Sequence, residues 1–188
     1  VKMKSSVSKE RILTDPKYKR TRENMQEFGG AAHVSKILRK GLSEIMGIMA
    51  SVGVVGRMTG LFKKINSVGS GDRGKRSFEI LAAKVLFEGF EFKKGLSLEQ
   101  KFFAPNSLTF NANRDKVIWD IPDFDTDIYV KAPSAASHFK LVLGAVALSD
   151  YVWDNNEKEY GPVNAGENGL NATTYSAPIQ ISGAVGKV

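Results

Sequence analysis

The sequence contains no cysteine, and that absence removes disulfides, thiol catalysis, thiolate metal sites and iron–sulfur clusters from consideration. Histidine is scarce as well: His33 and His138 are the whole supply. Neither is accompanied by G-x-S-x-G or H-E-x-x-H, so a serine hydrolase or a zinc protease has no motif to rest on. Both histidines read as ordinary packing or surface residues. Long apolar runs are missing too. The stretch Leu141 to Leu148 is far short of the roughly 20 residues a membrane helix needs, so no membrane span is expected. There is no internal repeat and no low-complexity tract. What remains is a chain of 188 residues, 42% hydrophobic and 25% charged, ordinary for a globular protein and long enough to bury a core without staples.

The net charge of +7 conceals a split. Residues 1–76 hold 17 Lys and Arg against 6 Asp and Glu, a balance of +11, whereas residues 77–188 hold 10 against 14, a balance of −4. One half can therefore attract an acidic partner, and the other half of a second copy is such a partner. The chain begins at Val1 rather than a methionine and stops inside the glycine-containing, strand-like stretch 179–188, so it reads as an excerpt of a longer protein. Polar, glycine-rich ends fray unless something ties them down, and both ends are expected to dock on neighbours.

Two regions follow from the residue pattern, a basic arm with a helical hairpin over 1–76 and a strand-rich region over 77–188, expected to form one compact domain with extended termini. The first dozen residues, with Lys2, Lys4, Lys9 and Arg11 among serines, lack a sustained apolar period and read as an extended arm. Asp15-Pro16 supplies an N-cap and a proline suited to the first helical position. From Met25, apolar or small residues fall at Phe28, Ala32, Ser35, Leu38, Leu42, Ile45 and Met49, a stripe at steps of three and four that predicts the buried face of a helix. Lys36, Arg39 and Lys40 lie off that stripe. After Gly53 and Gly56, the spacing of Met58, Leu61, Phe62 and Ile65 predicts a second helix, antiparallel to the first.

Beyond Ser77, short alternating runs of β-branched and aromatic residues predict strands. Residues 87–92 and 96–103 are read as two of them. Leu108, Phe110, Val117, Trp119 and Ile121 suit a hairpin turning at Asn113-Arg114-Asp115. Pro122 and Pro133 bracket an acidic loop. His138 to Leu148 is read as one long strand or hairpin bent near Gly144. The tail reads as loops up to Pro178, then one edge strand. The fold class expected is α+β, with the arm and two-helix hairpin followed by an antiparallel sheet or sandwich.

Several constellations invite a chemical reading. Gly69 to Gly74 spells G-x-G-x-x-G, but the phosphate-binding form needs a strand before it and a helix after it, and here the order is reversed, so a flexible linker is the reading. Asp123, Asp125 and Asp127 have the alternate spacing of a calcium loop, yet Ile128 and Ser134 occupy the positions where an EF-hand needs glycine and glutamate. A solvated acidic loop is the better reading, with a weak cation site and a docking patch for basic residues of another subunit as the alternatives. Glu88, Glu91, Asp120 and Asp123 are carboxylates that a fold can bring together for acid–base work, without a motif that says it does. Lys17, Lys19, Arg20 and Arg22, followed by Lys36, Arg39 and Lys40, form a positive stripe able to neutralise phosphates, but with no interleaved aromatics and no recognition motif.

The stretch from Ile12 to Gly41, containing DPKYKRTRENMQEFGGAAHVSKILRKG, resembles a family of uncharacterised proteins found widely in Bacteroidota. The likeness continues through GDRGKRSFE at Gly71 to Glu79, FEGFEFKKGLSL at Phe87 to Leu98, WDIPDF at Trp119 to Phe124 and APSAASHFKLV at Ala132 to Val142, and reaches about Asp150. The resemblance implies a short glycine-containing strand upstream of Val1 and further chain at the C-terminus. It implies no activity and maps no catalytic residue.

The function these observations favour is a non-enzymatic structural subunit that self-associates into a filament, tube or other ordered polymer. Charge complementarity would join copies head to tail, through Lys17, Lys19, Arg20, Arg22, Lys36, Arg39 and Lys40 on one side and Asp123, Asp125 and Asp127 on the other. A strand-like terminus carrying Ile179 and Ile181 would add to a neighbour's sheet edge. Copies of itself are the expected partner, and no cofactor is expected. The alternative is a basic nucleic-acid-associated or phage-like accessory protein, and the third reading is an enzyme built on the dispersed carboxylates.

Overall fold

The computed structural model describes residues 7–113 and 115–188. Among them the fold is α+β, with helices in the first third and short antiparallel strands after it. The helices are α1 (Lys9–Thr14), α2 (Lys19–Gly41), α3 (Ser43–Met49) and α4 (Val54–Val68). Then come β1 (Ser107–Phe110), β2 (Val117–Asp120), β3 (Phe124–Asp125), the single helical turn α5 (Thr126–Tyr129), β4 (His138–Phe139) and β5 (Val142–Val146). The chain closes with β6 (Tyr151–Asp154), β7 (Glu159–Pro162), β8 (Asn171–Tyr175), β9 (Ile179–Gln180) and β10 (Ala184–Val185). The strands pair as separate antiparallel ribbons, β1 with β2, β3 with β10, β4 with β9, β5 with β8 and β6 with β7.

The chain forms two interleaved compact units. The first comprises Val1–Lys40, Gly53–Phe90 and Ala147–Leu170, and the second Gly41–Val52, Glu91–Val146 and Asn171–Val188. Each draws on both the basic and the acidic half of the sequence.

In the first unit, Ser8 caps α1, its hydroxyl accepting from the Arg11 amide. The segment expected as an extended arm is therefore helical from Lys9; Lys2 and Lys4 lie outside the described residues. Asp15 accepts from the Lys17 amide with Pro16 at the first position of a 3₁₀ turn, Pro16–Tyr18, which leads into α2. The α4 period is as expected, with Met58, Leu61, Phe62 and Ile65 all buried. The stripe on α2 is so only in part, with Ser35 buried and Leu38 packed against the core. Met25 and Phe28 are 55% and 58% exposed, while Glu23, Glu27, Ala31, Val34 and Ser35 point inward. The buried face is rotated from the expected one because it includes two carboxylates, which a hydrophobicity pattern assigns to solvent.

The core of this unit joins Ala31 and Val34 of α2 to Leu61, Phe62 and Ile65 of α4, and to Phe78, Ile80, Tyr151 and Tyr160. Phe78 and Tyr160 meet edge to face with ring centroids 4.9 Å apart, and Trp153 packs on Tyr160 at 5.2 Å. Such pairs contribute about 0.5–1.5 kcal/mol beyond the area they bury. The β6–β7 hairpin turns through Lys158, at φ 55, with the Asp154 carboxylate accepting from the Asn156 amide at 2.7 Å. This hairpin and β8 replace what the sequence suggests is loop.

The second unit is cored by Phe102, Ala104, Ile121, Phe124, Leu141 and Ile179. The β1–β2 hairpin forms as expected, in the register Ser107↔Asp120 to Phe110↔Val117; Arg114 of the expected turn is outside the described residues. Residues 87–92 and 96–101 are not strands, with Gly89 and the intervening Gly95 at φ 71 and 77, and only Phe102 forms an isolated antiparallel bridge, with Val130. Those left-handed positions interrupt an extended backbone, and the chain satisfies its amides locally, as in Phe102 N donating to Leu98 O at 2.8 Å. Gly144 does not bend the chain. It sits mid-strand opposite Thr173, where a Cβ would overlap Ile45 and approach Leu42 to 3.1 Å. The acidic loop is a strand and a helical turn: β3 pairs with β10, and Asp125 caps α5 by accepting from the Asp127 amide at 2.8 Å. The final stretch is two short strands, each paired within the chain, and the Ile121 and Val188 backbones exchange hydrogen bonds of 3.3 and 3.0 Å.

Adjacent glycines on α2 test this packing. A Cβ on Gly30 would overlap the Tyr160 ring and come within 2.9 Å of Phe78, whereas a Cβ on Gly29 meets nothing within 4 Å. Gly30→Ala should cost about 1–3 kcal/mol by overpacking the aromatic wall. Gly29→Ala should be neutral or stabilise by up to about 1 kcal/mol through helix propensity. Urea unfolding of the two variants measures both.

Candidate functional site

A dense polar cluster is built on one carboxylate. Glu27, on the inner face of α2, has no solvent-exposed surface. Its Oε1 accepts from Arg76 Nε at 2.8 Å and from the Gly74 amide at 2.8 Å, and its Oε2 accepts from Arg76 Nη2 at 2.8 Å and from the Lys63 ammonium. Arg76 thus grips the carboxylate through two nitrogens, the geometry in which a guanidinium holds an anion best. Burial alone would push this carboxyl up, but the Arg76, Lys63 and Gly74 hydrogen bonds outweigh it and bring it down to about 2.

The elements converge on Glu27 for local reasons. Gly74 adopts φ 96 and presses against Glu23, where a Cβ would come within 2.9 Å of Glu23 Cγ. Only glycine reaches that conformation and that approach without strain. Its carbonyl accepts from the Tyr160 hydroxyl at 3.2 Å. Burial, the first cause, raises that phenol to about 12; the Asn66 hydrogen bond and the Arg76 charge pull against it, and the Glu27 charge adds to it. Asn66, fully buried on α4, accepts from Lys63 at 3.1 Å and donates to the Arg76 carbonyl at 2.5 Å. Residues 69–74, expected as a flexible linker, are an ordered strap, with Gly69 packed so closely on the Ser77 carbonyl that a Cβ would overlap it.

Lys63 also lines the wall of an open groove of about 750 Å³. Phe28, Ala32 and Arg39 come from α2, and Val55, Gly56, Thr59, Gly60, Lys63, Lys64 and Ser67 from α4. The lining is apolar and small side chains with three cations, and it includes no carboxylate and no histidine. Gly56 and Gly60 have nothing within 4 Å of a would-be Cβ, so a ligand backbone can approach α4 closely. Arg39 Nε is shielded from solvent and has no hydrogen-bond partner.

The residues singled out from sequence distribute unevenly around this site. Arg39 lines the groove, and Lys36 and Lys40 are exposed on the same helix. Lys19 and Arg20 pair with Glu23 at 4.0 and 3.0 Å, and Arg22 donates to the carbonyls of Ile12 and Asp15 at 2.8 and 2.9 Å. Lys17, Lys19 and Arg20 are all exposed, and Arg22 is partly buried. Asp123 and Asp127 are exposed and Asp125 is partly buried; among the described residues no group of three or more His, Cys, Asp or Glu is placed to hold a metal. Asp120 pairs with Lys187 at 2.6 Å, and Glu88 is exposed. Ile179 is buried in the second core, and the Ile181 amide bonds the Ser137 carbonyl at 2.9 Å. His33 packs edge to face on Tyr151 at 6.0 Å, and His138 bonds Ser137. Sequence reading passed over Glu27, Lys63, Lys64 and Arg76. The fold brings the EFGGAA and GDRGKR stretches together, so that Glu27 meets Gly74 and Arg76.

No protein-family model, curated protein or solved structure matches the chain. Among the described residues no helix is long and apolar enough to cross a membrane.

The buried carboxylate predicts an acid dependence. Its folded value, about 2, lies below the ordinary 4.5. Stability from this group is therefore full above about pH 4.5 and falls as pH drops toward 2, a loss of about 3 kcal/mol. Glu27→Gln should remove that part of the pH dependence and cost about 3–5 kcal/mol at neutral pH, since Arg76 and Lys63 lose their counter-charge. Urea titrations of both proteins at pH 7 and pH 3 measure it.

Proposed function

We propose that this protein is a non-enzymatic structural subunit that self-associates into an ordered assembly. The observation that carries the reading is the β1–β2 ribbon. In its register Leu108 faces Trp119 and Phe110 faces Val117, so alternation places four apolar side chains on one face. Leu108 and Phe110 are 56% and 61% exposed, and Ile118 on the other face is 41% exposed. A lone two-stranded ribbon is marginal in water, and an exposed apolar face with open strand edges invites another chain.

The charge split of the sequence supports a copy of the same chain as that partner, since the basic and acidic halves attract across an interface. Strand addition at the ribbon edge would supply main-chain hydrogen bonds. Exchange of the terminal strands is the less favoured route, because β9 and β10 are already paired within the chain. Nucleic-acid binding draws less support, because Arg22 is committed to the carbonyls of Ile12 and Asp15, and Lys19 and Arg20 share their one carboxylate neighbour, Glu23, at the surface.

Sedimentation velocity tests the reading. The unaltered chain should sediment as a concentration-dependent series of species larger than the monomer. Leu108→Asp combined with Phe110→Asp should shift it to small species with unchanged far-ultraviolet circular dichroism. A variant that assembles like the parent would remove the ribbon from the interface.

A further inference from the structure

Resting on that reading, we infer that the α2–α4 groove of one copy receives the Asp123–Ile128 corner of the next, a head-to-tail contact that propagates the assembly. The groove is apolar, floored by glycines and set with Arg39, Lys63 and Lys64. The corner matches it in chemistry: Ile128 is 62% exposed on α5, and Asp123 and Asp127, both exposed, flank it in sequence. An apolar knob with carboxylates beside it suits an apolar slot with cations on its walls.

Three features favour a second copy over a small ligand. First, the apolar stripe of α2 at Met25 and Phe28 is turned out of its own core and extends the apolar surface available to a partner. Large exposed apolar surface of this kind marks protein contacts. Second, Lys63 is tied to Glu27, but Lys64 is exposed, so the groove keeps a donor for an incoming carboxylate. Third, the complementary surface belongs to the same chain at a different place, so the contact is heterologous. Heterologous contacts that do not close generate open polymers, as a filament or tube requires.

The absence of native cysteine makes the test clean. A chain carrying Phe28→Cys is mixed with one carrying Ile128→Cys and oxidised, so that any mixed disulfide joins two copies. The mixed dimer should form in large excess over that from Phe28→Cys with Asn156→Cys, an exposed control. Separately, Lys64→Glu and Asp127→Lys should each weaken association about tenfold, and the two together in one chain should restore it. If the unaltered chain assembles but the mixed disulfide does not exceed the control, or the combined variant shows no recovery, this contact is wrong while self-association stands. A parent chain that is monomeric at every concentration overturns both.

Discussion

The first compact unit depends on keeping one ionised carboxylate in its interior. Glu27 costs desolvation, and that cost is offset only if Arg76, Lys63 and the Gly74 amide all arrive together. Satisfying it fixes the strap of residues 69–76 against α2 and ties α4 to α2 through Lys63. It also sets Tyr160, whose hydroxyl bonds the same Gly74. Most consequentially, it sets the roll of α2 about its own axis. With Glu23 and Glu27 turned inward, Met25 and Phe28 must turn outward, so a polar constraint in the core produces an apolar surface on the helix.

The second unit solves a different problem. Its ribbons are two to five residues long and none widens into a broad sheet. Side-chain packing around Phe102 and Phe124, whose rings meet edge to face at 5.4 Å, does the work that sheet breadth does elsewhere. The β1–β2 ribbon shares in that core only through Trp119, which packs on Phe102 at 6.1 Å and bonds Asn106. Leu108, Phe110 and Ile118 are turned to solvent. Both units therefore present apolar surface beside charge.

How much of this the sequence disclosed depends on whether burial follows hydrophobicity. It does on α4, where Met58, Leu61, Phe62 and Ile65 were legible from spacing, and in the β1–β2 hairpin, where alternation and turn residues agree. It fails at the start of α2, where a buried ion pair turns Glu27 inward and leaves Met25 and Phe28 exposed. It fails again over residues 87–103, where Gly89 and Gly95 override β-forming neighbours, and over the tail, where Tyr151, Trp153 and Tyr160 hold a hairpin among residues typical of loops. The groove was only half visible. Arg39 could be singled out as a charge on a helix, but the partnership of Lys63, Lys64 and Phe28 exists only once the helices are placed.

The most direct test of the account is the size and shape of the purified chain, freed of nucleic acid, followed by light scattering and negative-stain imaging at low and high salt. Ordered particles of regular width, loosened as salt screens the contact between the basic and acidic surfaces, are the predicted result. A monodisperse monomer under both conditions, with or without added nucleic acid, would contradict it.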